Sequence, residues 1–297
     1  MNKNKNMKQI KLGFPGREWR NQTVELFKRA GYRPNLEETL FRVNINDPQF
    51  KCFLARTEEI AEYVEKGILD AGITQSIRLS EQGIKNIIKV SEFDYGNNVW
   101  WKTKVVLAVP FDSKVKSIKD LKGKKILTRV LNTTKEYFKK NKIEAKIEWV
   151  DRPTETKVPI FGDAVVEFTN TGNALRANNL RIIDVLTETV PTLIANQNAW
   201  QDKKKREKIE DLGLLLSGAR IAQDYAGLML HASNDMMEEV LGVLPSLKKP
   251  TVTHLRGENW FDVFTVAEKE KIREIIPKLK KIGCTDIIEF PLKKLIV

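Results

Sequence analysis

The sequence of 297 residues predicts a two-lobed α/β protein followed by a small βαββαβ domain. Three observations carry that reading. From residue 12 to residue 150, short apolar runs alternate with segments of helical spacing, the rhythm of layered α/β folds. Residues 180–196 hold two apolar runs back to back, enough to carry a chain out of a second lobe and back into the first. After residue 224 the order becomes strand, helix, strand, strand, helix, strand, which is the split βαβ arrangement of a ferredoxin-like domain.

The elements follow in order. Leu12 to Phe14 is a short strand that runs into Pro15-Gly16, and residues 23–31 form an amphipathic helix stopped by Gly31. Residues 51–55 read as a strand, 57–66 as a helix ending in glycine, and 68–74 as a strand carrying one acid, Asp70. Such alternation predicts a mainly parallel sheet with its strand ends facing a ligand cleft. A second lobe opens with the strand 102–110, continues through a short helix, the Gly123 turn and another strand, and reaches a helix at 133–141 with a threonine cap. Strands follow at 146–150 and 163–169. The basic run 202–223 is read as a solvated helix face, because acids interrupt it and its apolar residues keep helical spacing. The expected division is lobe I at 1–95, lobe II at 96–183, a return and linker at 184–224, and the third domain at 225–297.

Composition narrows the function classes. Fifty-one Lys and Arg against 39 Asp and Glu give a net charge of +12, which points to an anionic partner. Residues 225–297 are nearly balanced, so the attraction belongs to the two lobes. Two cysteines, Cys52 and Cys284, exclude a disulfide framework and a four-thiolate zinc site within one chain. The basic start has no apolar core for a secretion signal and no stretch of eighteen apolar residues occurs, so a cytoplasmic protein is expected. Both histidines, His231 and His254, fall in the third domain, which leaves the lobes without a histidine base or a Ser-His-Asp relay.

The most informative segment is Glu167 to Leu175, EFTNTGNAL, where an apolar strand ends in hydroxyls and a glycine before a helix start. Thr169, Thr171 and Asn173 supply hydrogen-bond donors, Gly172 lets the backbone turn closely, and free N–H groups complete a phosphate cradle. The same residues also read as an ordinary loop and helix cap. Glu167 is an acceptor for ribose hydroxyls or a salt-bridge residue, and Arg17, in the turn GFPGREW, is a fork for phosphate or a solvated arginine. Arg56 follows a strand at the usual α/β crevice, with Asp70 as a residue that orients it. Lys8, Lys11, Lys102 and Lys104 are steering or solubilising cations, and Trp100-Trp101 either stacks on a base or divides between core and edge.

These segments resemble the ATP phosphoribosyltransferases that open histidine biosynthesis, in their long form with a carboxyl-terminal regulatory domain. The resemblance runs through LGFPGREWRNQTVELFKRAG, residues 56–74, residues 105–128 with Asn132-Thr133, and above all DAVVEFTNTGNALRANNL at 163–180. It extends to 243–255 and 259–269 in the third domain. It implies a periplasmic-binding-protein-like core with an ACT-like regulatory domain. The implied reaction is Mg2+-dependent transfer of phosphoribosyl from phosphoribosyl diphosphate to N1 of ATP, with magnesium carried mainly by substrate phosphates. It implies Arg17, Arg56 and Glu167 as catalytic residues, and Asp70, Glu167, Thr169, Asn170, Thr171, Gly172, Asn173 and Ala174 as ligand-binding residues. L-histidine as inhibitor and a homo-oligomer of dimers or hexamers follow from the same resemblance, with no nucleic-acid or membrane partner.

Several positions depart from the family pattern. Glu167 stands for an aspartate, Ala174 for a threonine, no lysine precedes Gly16-Arg17, Gln75, Ser76 and Ile77 replace the usual glycine and aspartate after Thr74, and Glu155 fits only with an extra residue before Pro159. They favour a rival, a catalytically weakened relative that binds nucleotide or histidine as a regulatory subunit. Residues 107–126 suggest a second, a bilobal solute-binding protein.

Overall fold

A computed structural model describes residues 9–16, 19–37, 41–93, 103–151, 153–245, 247, 249–257 and 259–297. The chain divides into two compact units, one centred on residues 33–93 and 103–213, the other on 214–297 together with 25–32.

The first unit holds two sheets. Its elements run β1 (Ile10–Pro15), α1 (Arg20–Arg29, whose last turn joins the second unit), β2 (Asn35–Glu37), β3 (Arg42–Asn44), β4 (Phe50–Ala55), α2 (Thr57–Glu65), β5 (Ala71–Gln75), α3 (Ser76–Glu81) and β6 (Ile87–Glu92). The second lobe follows with β7 (Thr103–Pro110), β8 (Lys125–Thr128), α4 (Leu131–Lys140), β9 (Lys146–Trp149), β10 (Ala164–Thr169), α5 (Asn173–Ala177) and β11 (Leu180–Thr189). β12 (Pro191–Asn196) and α6 (Gln197–Gln201) return to the first sheet, and α7 (Lys203–Ile221) begins in this unit and from Leu214 belongs to the second.

That sheet has the order β2-β3-β4-β1-β5-β12-β6. Only β4-β1 and β1-β5 are parallel; the remaining four pairings are antiparallel. The expected mainly parallel sheet is therefore mixed. The returning strand β12 enters alongside β5 in the opposite sense, and the edge is extended by β2 and β3, three-residue strands too short to show alternation. β5 also begins at Ala71, three residues later than its apolar run. α2 lies close on β1 and β5: a Cβ at Gly72 would stand 2.4 Å from Ile60 Cγ2. Ile60, Ala61 and Val64 repeat at helical spacing and bury that face, and Glu59 caps the helix start by accepting the Arg56 N–H at 2.8 Å.

The second sheet has the order β11-β7-β10-β8-β9, with β8 parallel to both β9 and β10. Its middle strands are buried on both faces, which explains the continuous apolar wording of VVLAV and AVV. The threonine cap expected for α4 is absent from its N-cap position, which Val130 occupies. The cap arrives from the other lobe. Glu81, at the end of α3, accepts the N–H groups of Asn132 and Thr133 at 3.0 and 2.9 Å, and the Thr133 hydroxyl at 2.9 Å. A carboxylate at a helix start satisfies donors that have no partner within the helix and complements its dipole.

α7 carries the basic run as a helix face. Lys203–Glu207 and Arg206–Glu210 pair along it, Lys205 and Lys208 reach Asp70 and Asp47, and Ile209, Leu212 and Leu216 are buried. No helix among the described residues is long and apolar enough to cross a membrane.

The second unit comprises β13 (Tyr225–Ser233), α8 (Met237–Val243), β14 (Thr251–His254), β15 (Trp260–Glu268), α9 (Lys269–Ile282) and β16 (Thr285–Pro291). Its antiparallel sheet has the order β14-β15-β13-β16, the ferredoxin-like permutation read from the element order. Ala226, Leu228, Leu230 and Ala232 alternate onto one face and pack with Ile272, Ile275 and Leu279 of α9. His231 meets the Asp286 carboxylate at 3.0 Å, and His254 stands edge-on to Phe261.

Candidate active site

Parallel pairing places the carboxyl ends of β1, β4 and β5 side by side. Pro15 lies opposite Ala55, and the Gly16 N–H donates to the Ala55 carbonyl at 2.8 Å, so the GFPG turn and exposed Arg56 are neighbours. Arg17 itself lies outside the described residues, as do Lys8, Trp100, Trp101 and Lys102. β5 leads directly into α3, and β12 starts opposite Gln75, so this edge of the sheet is also where the second lobe is attached.

In the second lobe, β8 and β10 are parallel and end together, bringing Arg129 beside Glu167. Glu167 is 8% exposed. One of its oxygens, Oε1, accepts the Phe168 N–H at 2.8 Å and lies 3.7 Å from Arg129 Nη1. Among the described residues, neither Glu167 Oε2 nor Arg129 Nη1 has a hydrogen-bond partner, although both are buried. Leaving a buried charged donor and acceptor unmet costs more than an ordinary hydrogen bond contributes, and a water or a ligand that brings both an acceptor and a donor meets that cost. A sugar hydroxyl is such a group, because it donates one hydrogen and accepts another.

The loop follows immediately. Gly172 is left-handed at φ 76°, a conformation that costs any residue with a Cβ about 1–2 kcal/mol, and it begins α5. Thr171, Asn173 and Ala174 are exposed, while Thr169 and Asn170 are half-buried. Two of the N–H groups at this turn are capped from within. Gly172 N–H donates to Thr169 Oγ1 at 2.8 Å, and Asn173 N–H to Thr171 Oγ1 at 3.4 Å. A threonine oxygen that accepts an N–H keeps its own hydrogen to donate, so the loop presents hydroxyls as well as the first-turn amides of α5. Arg176, unnamed in the sequence reading, bonds the Thr171 carbonyl at 2.9 Å and ties the turn to α5.

Asp70 is not brought to this loop. It precedes β5 at the amino end of the sheet, where its carboxylate accepts the Lys11 N–H at 2.8 Å and meets Lys205 Nζ at 2.6 Å. Nor does it orient Arg56, which sits at the opposite strand end. Lys104 pairs by backbone register with Thr169 and Glu188.

Sequence reasoning missed Arg129 and Arg78. Arg129 follows β8 as Arg56 follows β4, and the same rule of a cation at a strand's carboxyl end finds it. Arg78 carries no such signal, since only the tertiary fold buries it. No group of three or more metal-binding acids, histidines or cysteines occurs among the described residues.

Comparison with known proteins gives a consistent picture. The family model for ATP phosphoribosyltransferase matches residues 56–218, and the model for that family's C-terminal domain matches 222–294. An ATP phosphoribosyltransferase of Solibacter usitatus is 42% identical over 288 residues, covering 97% of this chain and 99% of its own. One from Thermodesulfovibrio yellowstonii is 38% identical over 289 residues, with the same coverage. Among solved structures, the ATP phosphoribosyl transferase (HisG:HisZ) complex of Thermotoga maritima is similar at a TM-score of 0.57 and 22% identity, covering 70% of this chain and 98% of that one. The periplasmic aliphatic sulphonate binding protein SsuA of Escherichia coli shares the fold at a TM-score of 0.50 and 15% identity, covering 72% of this chain and 73% of its own. The solute-binding wording of residues 107–126 thus reflects a common architecture.

Proposed function

The chain belongs to the ATP phosphoribosyltransferase family, whose reaction joins phosphoribosyl diphosphate and ATP in histidine biosynthesis, and from that premise we propose how its residues divide the work. The C1–O bond of the donor breaks, its electron pair leaves with pyrophosphate, and the lone pair of adenine N1 forms the new bond to C1. The product is N1-(5-phosphoribosyl)-ATP. N1 attacks with a lone pair it already has, so no side-chain base is needed. Catalysis then rests on alignment and on charge placed where charge develops.

Glu167 Oε2 accepts a ribose hydroxyl hydrogen and Arg129 Nη1 donates to a hydroxyl oxygen. This orphaned buried pair is the observation that carries the reading. Thr169, Asn170, Thr171, Gly172, Asn173 and Ala174 form the seat of the 5'-phosphate, with the two threonine hydroxyls as donors. Arg56, and Arg17 beyond the GFPG turn, neutralise the departing pyrophosphate. The extra methylene of Glu167 is absorbed by its bond to the Phe168 N–H, which turns the carboxylate back toward its own strand.

The donor set fits magnesium in its usual role. One carboxylate and several hydroxyl oxygens suit a hard cation held chiefly by phosphates and water. Bound there, magnesium would stabilise the charge of leaving pyrophosphate. L-histidine is assigned to the ferredoxin-like unit as a feedback inhibitor, and the chain to an assembly of dimers and hexamers.

The test is direct. Purified protein with ATP, phosphoribosyl diphosphate and magnesium yields phosphoribosyl-ATP, and histidine suppresses it. Gly172→Ala weakens donor binding at least tenfold with the fold intact, because the left-handed turn is strained and a Cβ there meets Arg176 Nη1 at 3.0 Å. Absence of product, or normal donor affinity in the variant, rejects the assignment.

A further inference from the structure

Helix α3 follows β5 of the first lobe and its side chains serve both lobes: Leu79 packs with Ile60, Val64 and Ile194 of the first, while Ile77 and Glu81 reach into the second. Ile77 is buried among Val105, Leu107, Phe138 and Val166, its N–H donates to Thr189 Oγ1 at 3.1 Å, and Glu81 caps α4. Between them lies Arg78, 7% exposed. Its Nη2 pairs with Glu58 Oε1 at 2.6 Å, and its Cζ stands 5.3 Å from the centre of the Phe168 ring.

Both partners adjoin the reaction groups. Glu58 is in the first turn of α2, two residues beyond Arg56, and Phe168 lies in β10 between Glu167 and Thr169. Arg129 has its Cζ 5.9 Å from the same ring. Phe168 therefore carries one guanidinium from each lobe. Two cations on one ring separate unless each is held, and here Glu58 holds the first while Glu167 faces the second. A buried charge so constrained has little freedom to shift, because every alternative leaves it unpaired.

We propose that Arg78 is a positioning residue that keeps the Arg56 side of the site in register with Glu167 and the phosphate loop. It touches no substrate and acts through Phe168 and Glu58. The inference rests on the assignment of residues 167–174 as the donor seat. A donor that spans both lobes needs their half-sites held to a fraction of an ångström, whereas a ligand seated only on the loop does not. Lysine cannot replace the planar fork that bonds a carboxylate while lying on a ring.

The full-length protein and its R78M, R78K and F168L variants separate the possibilities. Steady-state rates with phosphoribosyl diphosphate and ATP are compared with calorimetric binding of ribose 5-phosphate, a probe of the second-lobe half-site of Glu167, Arg129 and the loop, and with thermal unfolding. R78M is expected to lose at least tenfold in kcat/KM for the donor while ribose 5-phosphate affinity stays within twofold. R78K recovers only a minor part, and the R78M and F168L losses combine in R78M/F168L to less than their product, since both remove the Arg78–Phe168 contact even though each also removes one of its own. If R78M does not fold, F168L, which leaves the Arg78–Glu58 pair in place, carries the same comparison. A donor kcat/KM within twofold of the parent, an equal loss of ribose 5-phosphate affinity, or multiplying single effects overturns the proposal. A parent protein that neither turns over nor binds ribose 5-phosphate instead overturns the site assignment on which it rests.

Discussion

Asp70 and Glu167 are both acids beside or within an apolar strand, and the fold sends them to opposite fates. Asp70, before β5, is saturated: a backbone N–H and the Lys205 ammonium occupy its two oxygens. Glu167, near the end of β10, is just as enclosed but has an oxygen with no partner among the described residues. The lesson is one of accounting for hydrogen bonds. A satisfied buried acid holds elements together, whereas a buried acid with an unmet oxygen keeps a place for a donor, and on the proposed function Glu167 keeps it for a ribose hydroxyl.

The largest effect expected from this contrast is at Glu167. Glu167→Gln keeps the shape and removes the charge, and donor kcat/KM should fall about a hundredfold, with a smaller loss of stability than Asp70→Asn because the Arg129–Glu167 pair is long at 3.7 Å. A loss of stability without loss of rate would reverse the roles of the two acids. Asp70→Asn should do the opposite. It leaves the Lys205 ammonium short of its partner in a half-enclosed site, at a cost of about 2 kcal/mol in denaturant unfolding, while the folded protein keeps its rate within twofold.

A third acid sharpens the comparison at its weak end. Asp163, just before β10, accepts the Lys125 N–H at 2.8 Å and meets Lys124 Nζ at 3.1 Å, but it is open to solvent. Burial works against its charge, and these hydrogen bonds with the Lys124 charge outweigh it, so the carboxyl is held below its ordinary 3.8. Because the folded value is depressed, the stabilisation is present above the unfolded value and is lost as pH falls through the folded one. Asp163→Asn should lower the melting temperature by no more than about 2 °C at pH 7, and the gap should close on acidification. A gap that widens in acid would contradict the sign.

Much of this was legible in advance, and for definite reasons. Val105 to Val109 and Ala164 to Val166 announce buried strands because strands covered on both faces must be apolar throughout. The order of elements after residue 224 was enough to specify the ferredoxin-like unit, since few topologies accept it. Glu167 to Gly172 could be singled out because hydroxyls and glycine at a strand end suit few purposes besides turning and binding. The edge strands β2 and β3 were not visible, because three residues are too few to display a period.

By itself, then, the sequence determined where most strands and helices form, though not β2, β3, α3 or β6, and which strand ends carry polar groups, because those depend on neighbours a few residues apart. Only the tertiary structure decided which polar groups meet. Lys205 reaches Asp70 across 135 positions, Glu81 caps a helix 51 positions away, and Arg78 finds Phe168 in another lobe. Whether a buried charge is spent on the fold or kept for a ligand is a property of that three-dimensional pairing, and no local pattern encodes it.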